Sequence, residues 1–166
     1  MIYTTYYLSP IGKLVLSSTG PALNGLSFKA VADSVATNAD NLPVFVQTKK
    51  WLDNYFSAHT PGALPPLAPG GTAFQQAVWK LLLAIPYGQT VTYGQLAKQI
   101  AQQQGQAHMA AQAIGGAVGK NPIAIIIPCH RVLGTGGKLT GYAAGLDKKI
   151  QLLLHEDAAF STTLHK

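Results

Sequence analysis

The stretch Asn121-Pro122-Ile123-Ala124-Ile125-Ile126-Ile127-Pro128-Cys129-His130-Arg131-Val132 holds the only cysteine and the only arginine of the chain, with a histidine between them. Its apolar run, bracketed by Pro122 and Pro128, reads as a short buried strand that delivers Cys129 to its end. A thiol attacks only as thiolate, and an unperturbed pKa of roughly 8.5 leaves little thiolate at neutral pH. A base or cation held beside it changes that. His130 is the candidate base, and Arg131 supplies positive field or a structural hydrogen-bond fork. Two facts weigh against this. A lone cysteine after an apolar run is more often a small buried hydrophobe than a catalyst. Neighbours on an extended chain also point to opposite faces, so Cys129 and His130 can serve one site only across a tight turn.

Downstream, residues 134–145 form a glycine-rich loop containing Tyr142 that can wall a pocket. Asp147 is placed to cap a last helix over Lys148 to His155, with Leu146, Ile150, Leu153 and Leu154 toward the core. Glu156, the only glutamate, follows; on sequence alone a helix-end carboxylate like this is solvated.

Upstream, Thr72 with Gln75, and Thr92 with Gln95, each have the form of a capping box. The first opens a helix with Phe74, Val78, Leu81, Leu82 and Ile85 on one face, stopped by Pro86. The second opens a short helix over Tyr93 to Ile100. A glutamine-rich connection leads to a small-residue helix from Ala107 to about Val118. Two short helices joined by a polar turn read as a helix-turn-helix, although helical hairpins are common. The small residues of the second helix allow either close approach to a sugar-phosphate chain or tight packing on Ile125 and its neighbours.

Further back, residues 1–28 read as a β-meander: Ile2 to Leu8, Lys13 to Ser17, and Leu23 to Phe28. Val44, Thr48, Trp51, Leu52, Tyr55 and Phe56 recur at helical spacing over about 43–57 and are assigned to a core face. His59 to Gly71, rich in proline and glycine, reads as a linker. The expected domains are therefore 1–71 and 72–166, an α+β chain with a mainly helical second part.

With 166 residues and 48% hydrophobic content, there is enough apolar material for a packed core. No run reaches the ~18 apolar residues of a membrane span, and no secretory signal is visible. A single cysteine excludes an internal disulfide and a cysteine-rich zinc site. A cytoplasmic location, where a free thiol survives, is expected. Residues 1–71 carry four lysines against three aspartates, while residues 72–166 carry eight Lys/Arg against three acids. The positive excess sits with the cysteine motif, as polyanion binding requires; a lysine excess that only confers solubility is the plainer alternative.

Pro128-Cys129-His130-Arg131-Val132, preceded by Asn121-Pro122 and followed by Leu139-Thr140-Gly141-Tyr142-Ala143, resembles the active-site signature of the O6-alkylguanine-DNA alkyltransferases. The resemblance covers about the last hundred residues. It implies a ribonuclease H-like N-terminal domain and a C-terminal DNA-binding, alkyl-accepting domain, acting as a monomer without metal or organic cofactor. It implies double-stranded DNA containing O6-alkylguanine as the partner, with O4-alkylthymine as a further candidate. Cys129 matches the alkyl acceptor, His130 the base acting through a water, and Glu156 the acid that orients the histidine. Asn121 matches the residue tying the active-site turn. Tyr93 matches a phenol that protonates the departing purine. Tyr142, Ala143, Val132 and Met109 match the pocket. Gln112, Ala113, Gly115 and Thr92 match DNA contacts, and Arg131 is expected both to brace the turn and to meet DNA.

The chain departs from the pattern at Gln112, where the family usually inserts an arginine in place of the flipped base. The connection between Tyr93 and Gln112 is several residues longer than usual, and Ala144 stands where glycine is common. Three rivals stay in view. A non-enzymatic alkylated-base binder of the alkyltransferase-like kind lacks the cysteine. A thiol hydrolase would lack an evident oxyanion arrangement. A transcription factor would need base-reading side chains where this helix offers mostly Ala, Gly and Gln.

Overall fold

The computed structural model describes residues 2–29, 36–57 and 61–164. It divides into two units: Met1–Gly70 with Pro122–Ile126, and Gly71–Asn121 with Ile127–Lys166. The architecture is α+β.

The first unit carries a four-stranded sheet in the order β3-β2-β1-β4. β1 (Ile2–Ser9) pairs antiparallel with β2 (Gly12–Ser18), and β2 with β3 (Leu23–Ser27). β4 (Ala36–Asn38), absent from the sequence reading, adds a short parallel edge to β1. α1 (Pro43–Phe56) starts at a proline, whose missing N–H costs nothing in the first turn. It buries Val44, Phe45, Thr48, Trp51, Leu52 and Tyr55. Of the segment read as a linker, residues 59 and 60 lie outside the described residues. The remainder is held along β3: Leu23 N–H donates to Pro66 C=O and Ala68 N–H to Leu23 C=O, both at 2.8 Å.

Residues 122–126 overturn one expectation. They do not form the expected strand, and by their contacts they group with the first unit. Leu26 N–H donates to Pro122 C=O at 3.0 Å and Ala124 N–H to Leu26 C=O at 2.9 Å, a single bridge on β3. The chain then folds back through a γ-turn of the rare positive-φ kind. Ile125 has φ 69°, and Ile126 N–H donates to Ala124 C=O at 2.7 Å. A β-branched residue there is strained, by an order of 1–3 kcal/mol. Burial of Ile123, Ile125, Ile126 and Ile127 offsets that cost. An apolar run this short cannot be assigned by periodicity, which is absent from it.

The second unit is built on helices. α2 (Ala73–Leu83) and α3 (Tyr93–Gln103) both open with complete capping boxes, on Thr72/Gln75 and Thr92/Gln95. α4 (Ala111–Gly119) begins four residues later than its composition implied and has no side-chain cap. Trp79 of α2, not placed on the core face by sequence, donates its indole N–H to Ala117 C=O at 2.9 Å and so joins α2 to α4. β5 (Val91–Thr92) and β6 (Val132–Leu133) form a parallel two-residue ladder, Val91 opposite Val132. β7 (Lys138–Leu139) pairs with β8 (Ser161–Leu164).

α5 (Leu146–His155) corrects the sequence reading twice. Its N-cap is Gly145, at φ 100°, and Asp147 lies inside the first turn without capping. The inward stripe is Lys149, Leu152, Leu153 and Glu156, whereas Leu154 is 63% exposed. That stripe has helical spacing i, i+3, i+4, i+7, but its ends are charged, so hydropathy overlooked them; Leu146, Ile150 and Leu153 do pack on the core with Leu133 and Leu139, as expected. No described helix is long and apolar enough to cross a membrane.

Thr72→Ala removes the acceptor for Gln75 N–H, 3.1 Å away. Loss of such a cap costs about 1 kcal/mol. Urea denaturation should show that decrease for Thr72→Ala and almost none for Thr72→Ser; an unchanged alanine variant would mean that the cap carries no weight here.

Candidate active site

The sequence around Cys129 is shaped by turns rather than by a strand. Pro128, at φ −82° and ψ 64°, occupies an inverse γ-turn, closed by Cys129 N–H donating to Ile127 C=O at 2.8 Å. Asn121 Nδ2 donates to the same carbonyl at 2.8 Å. Cys129–Arg131 then form one 3₁₀ turn, and Val132 enters β6. Three residues per turn swing successive side chains by about a third of a circle rather than a half. Adjacent Cys129 and His130 can therefore serve one site, as an extended chain would forbid.

Behind the cysteine lies a carboxylate saturated with donors. Glu156 Oε2 meets His130 Nε2 at 2.6 Å and accepts from Arg131 Nη2 at 3.0 Å. Its Oε1 accepts from Arg131 Nε at 2.8 Å and from Gly88 N–H at 3.2 Å. Burial alone would raise the carboxyl pKa; the hydrogen bonds and charges of His130 and Arg131 outweigh it and hold Glu156 well below the usual range. An ionised carboxylate can only accept. The His130 hydrogen therefore sits on Nε2, and Nδ1, buried without a protein partner, carries the lone pair. Burial keeps the imidazole neutral, lowering its pKa against the pull of Glu156.

Arg131 is a correction. Its expected bracing role fits these bonds, but its expected DNA contact does not: it is 8% exposed and its remaining terminal nitrogen, Nη1, donates to Ile85 C=O at 2.8 Å. All three guanidinium nitrogens are spent inside the unit.

Burial pushes the Cys129 thiol up, while the Asn121 and Tyr142 side chains and the Lys149 charge act the other way. The resting sulfur is thus a thiol, with groups around it that favour the thiolate once a proton is removed. The Tyr142 hydroxyl is buried near the sulfur without a hydrogen bond of good geometry. Lys149 was not singled out by sequence. It is fully buried, and its Nζ donates to Val132 C=O at 2.7 Å and to Thr140 Oγ1 at 3.2 Å. Thr140 Oγ1 lies 3.0 Å from Tyr93 OH. The signal that could have found Lys149 is its place in the stripe that ends at Glu156.

Cys129 opens on a cavity of about 310 Å³ shared with Tyr93, Gly115, Val118, Gly119, Gly141, Tyr142 and Ala143. Beside it lies an open cleft of about 640 Å³ lined by Tyr93, Gly94, Ala111, Gln112, Gly115, residues 134–136, Lys138 and Thr140. Gln112 and Ala113 are exposed on α4. Two expected pocket residues are elsewhere. Met109 lines a separate groove with Lys98 and His108, because α4 starts only at Ala111. Val132 is buried, and its carbonyl is engaged by Lys149. The Thr92 hydroxyl accepts from Gln95 N–H at 3.1 Å, as the cap of α3. Among the described residues no group of three or more His, Cys, Asp or Glu could hold a metal ion.

Fold and site together define a protein that holds one activatable thiol, backed by a histidine–carboxylate pair, at a cavity lined by residues of α3 and α4. Residues 73–158 match the family model of the 6-O-methylguanine DNA methyltransferase DNA-binding domain. Residues 2–65 match that of its ribonuclease-like domain. The chain belongs to the 6-O-methylguanine DNA methyltransferase family. A methylated-DNA–protein-cysteine methyltransferase of Haemophilus influenzae is 43% identical over 158 residues, spanning 92% of this chain and 84% of its own. One from Mycobacterium leprae is 40% identical over 166 residues, spanning 99% and 98%. The crystal structure of Mycobacterium tuberculosis OGT in complex with DNA superposes with a TM-score of 0.79 at 42% identity, covering 94% of this chain and 92% of that one.

Glu156→Gln tests the anchor. The native carboxyl stays ionised below the unfolded value of about 4.3, so its contribution is present above that pH and is lost as pH falls toward the native value. At pH 7 the variant should be clearly less stable, because Arg131 is left as an uncompensated buried charge. The stability gap from wild type should narrow as pH drops below about 4. A gap that stays constant with pH would mean that Glu156 is not ionised in the fold.

Proposed function

We propose that this protein repairs DNA by taking the alkyl group of O6-alkylguanine onto Cys129, irreversibly and once per molecule. The observation that carries the reading is Cys129 on the cavity wall, with the neutral His130 and ionised Glu156 behind it and Tyr93 and Tyr142 sharing the cavity. Inside duplex DNA the alkyl carbon is unreachable, so the base is turned out of the stack at a cost of a few kcal/mol. His130 Nδ1 draws the thiol proton through a water, and Glu156 stabilises the imidazolium that forms. The Cys129 thiolate displaces the alkyl carbon, and Tyr93 protonates the departing purine. A thioether results, which thiol exchange does not reverse.

Residues 1–71 serve as a structural domain, and residues 72–166 bind DNA and accept the alkyl group. α3 and α4 act as the helix-turn-helix. The exposed small face of α4, with Ala113, and Gly115 at the cavity mouth admit the backbone of the strand. Gln112, at the cleft next to the cavity, hydrogen-bonds the orphaned partner base without the charge or stacking surface of an arginine. The protein works as a monomer in the cytoplasm, where a thiol stays reduced. The alternative, a base binder that performs no chemistry, is disfavoured by the presence of Cys129.

Incubation with duplex DNA carrying O6-methylguanine should add one methyl group to the Cys129 peptide by mass spectrometry, reaching one per protein without turnover. Full DNA binding with an unmodified Cys129 would leave the base-binding alternative in its place.

A further inference from the structure

Two further openings continue from the Cys129 cavity. The cleft of about 640 Å³ shares Tyr93 and Gly115 with it. A groove of about 350 Å³ shares Gly94 and Ala111 with the cleft. One wall of that groove is α3, with Ala97 and Lys98; the other is Ala107, His108 and Met109, from the connection that is longer than the resembling family usually has. The three openings form one track over α3 and α4, and no carboxylate lines it. A cation stands in each outer part: Lys138 in the cleft and Lys98 in the groove. Both are exposed, and neither enters an ion pair among the described residues.

The floor of the track is bare for a reason outside the fold. A Cβ built on Gly94 or Gly115 would meet nothing nearer than 3.8 Å, and neither glycine has a positive φ. Both lie in helices, where glycine is a poor former. Internal packing therefore does not require them, whereas a chain lying against the helices does.

We propose that this track carries the backbone of the DNA strand that holds the flipped base, with one phosphate neutralised by Lys138 and another by Lys98. This rests on the alkyl-transfer reading above and adds where the charge of the strand is met. A base turned into the Cys129 cavity leaves its sugar and flanking phosphates at the mouth, which is the cleft. Neutralising phosphates releases counterions and supplies much of the affinity of a protein for DNA. The residues matched to DNA contact by resemblance do not supply that charge: Gln112, Ala113, Gly115 and Thr92 are uncharged, and Arg131 is buried. Lys149, also counted in the positive excess of this half of the chain, is buried as well. Lys138 and Lys98 therefore do the work that charge at position 112 would otherwise share, and the Lys98 contact depends on the long connection of this chain.

Equilibrium binding across a salt series tests this, in a Cys129→Ser background that cannot take the methyl group. On duplex DNA carrying O6-methylguanine, Lys98→Ala and Lys138→Ala should each weaken binding and reduce the slope of log affinity against log salt by about 0.9. On a single strand carrying the same lesion, each should reduce it by about 0.7. Lys80→Ala, which removes an exposed lysine of α2 outside the track, should leave both slopes unchanged. With Cys129 restored, the Lys98 and Lys138 variants should take the methyl group from free O6-methylguanine base at the wild-type rate. An unchanged slope in either variant, a loss on the duplex but not on the single strand, or a slowing with the free base equal to that on DNA would overturn the proposal. Wild-type protein that binds the duplex without methylating Cys129 would instead remove the alkyl-transfer reading, while the salt slopes still decide the track.

Discussion

One buried carboxylate organises the site. Glu156 takes hydrogen bonds from two nitrogens of Arg131, from His130 and from the backbone of Gly88, so it ties the end of α5 to the cysteine turn and to the turn after α2. Desolvating a carboxylate costs several kcal/mol, and only near-ideal geometry with saturated lone pairs returns it. That condition is met here. It has a chemical consequence as well as a structural one. Because the carboxylate is ionised and can only accept, it fixes which histidine nitrogen holds hydrogen and leaves the other as a base.

The remaining charges follow from that arrangement. Arg131 neutralises Glu156, so His130 need not, and the imidazole stays free to accept a proton. At rest the sulfur is protonated, the imidazole neutral and the carboxylate paired; charge separation is deferred until a proton leaves the thiol. The Lys149 charge favours the thiolate when it forms. The site is therefore poised rather than permanently ionised, which protects a lone thiol from adventitious alkylation and oxidation.

Much of this was legible in the sequence where local rules decide. The capping boxes at Thr72 and Thr92 placed two helix starts correctly, because cap chemistry involves only neighbouring residues. The motif around Cys129 and the resemblance it carries pointed to Cys129, His130 and Glu156, and the structure brings His130 and Glu156 into contact. What was not legible depends on contacts far along the chain. The isoleucine run looked like a strand, yet its backbone is set by a bridge to β3 and a γ-turn at Ile125. The inward face of α5 was read only in part: Leu146, Ile150 and Leu153 pack inward as expected, but the burial of Lys149 and Glu156 was missed because both are charged. Their burial makes sense only once Val132, Thr140, His130 and Arg131 are brought around them. β4, β5 and β6 are too short to show a pattern.

Ionised Glu156 holds His130 in the Nε2–H form, with an unprotonated Nδ1 available to the thiol. Proton–nitrogen correlation NMR of the His130 ring at neutral pH measures this directly. A hydrogen on Nε2 and none on Nδ1 is the expected result. A hydrogen on Nδ1, in either the opposite tautomer or an imidazolium, would contradict it.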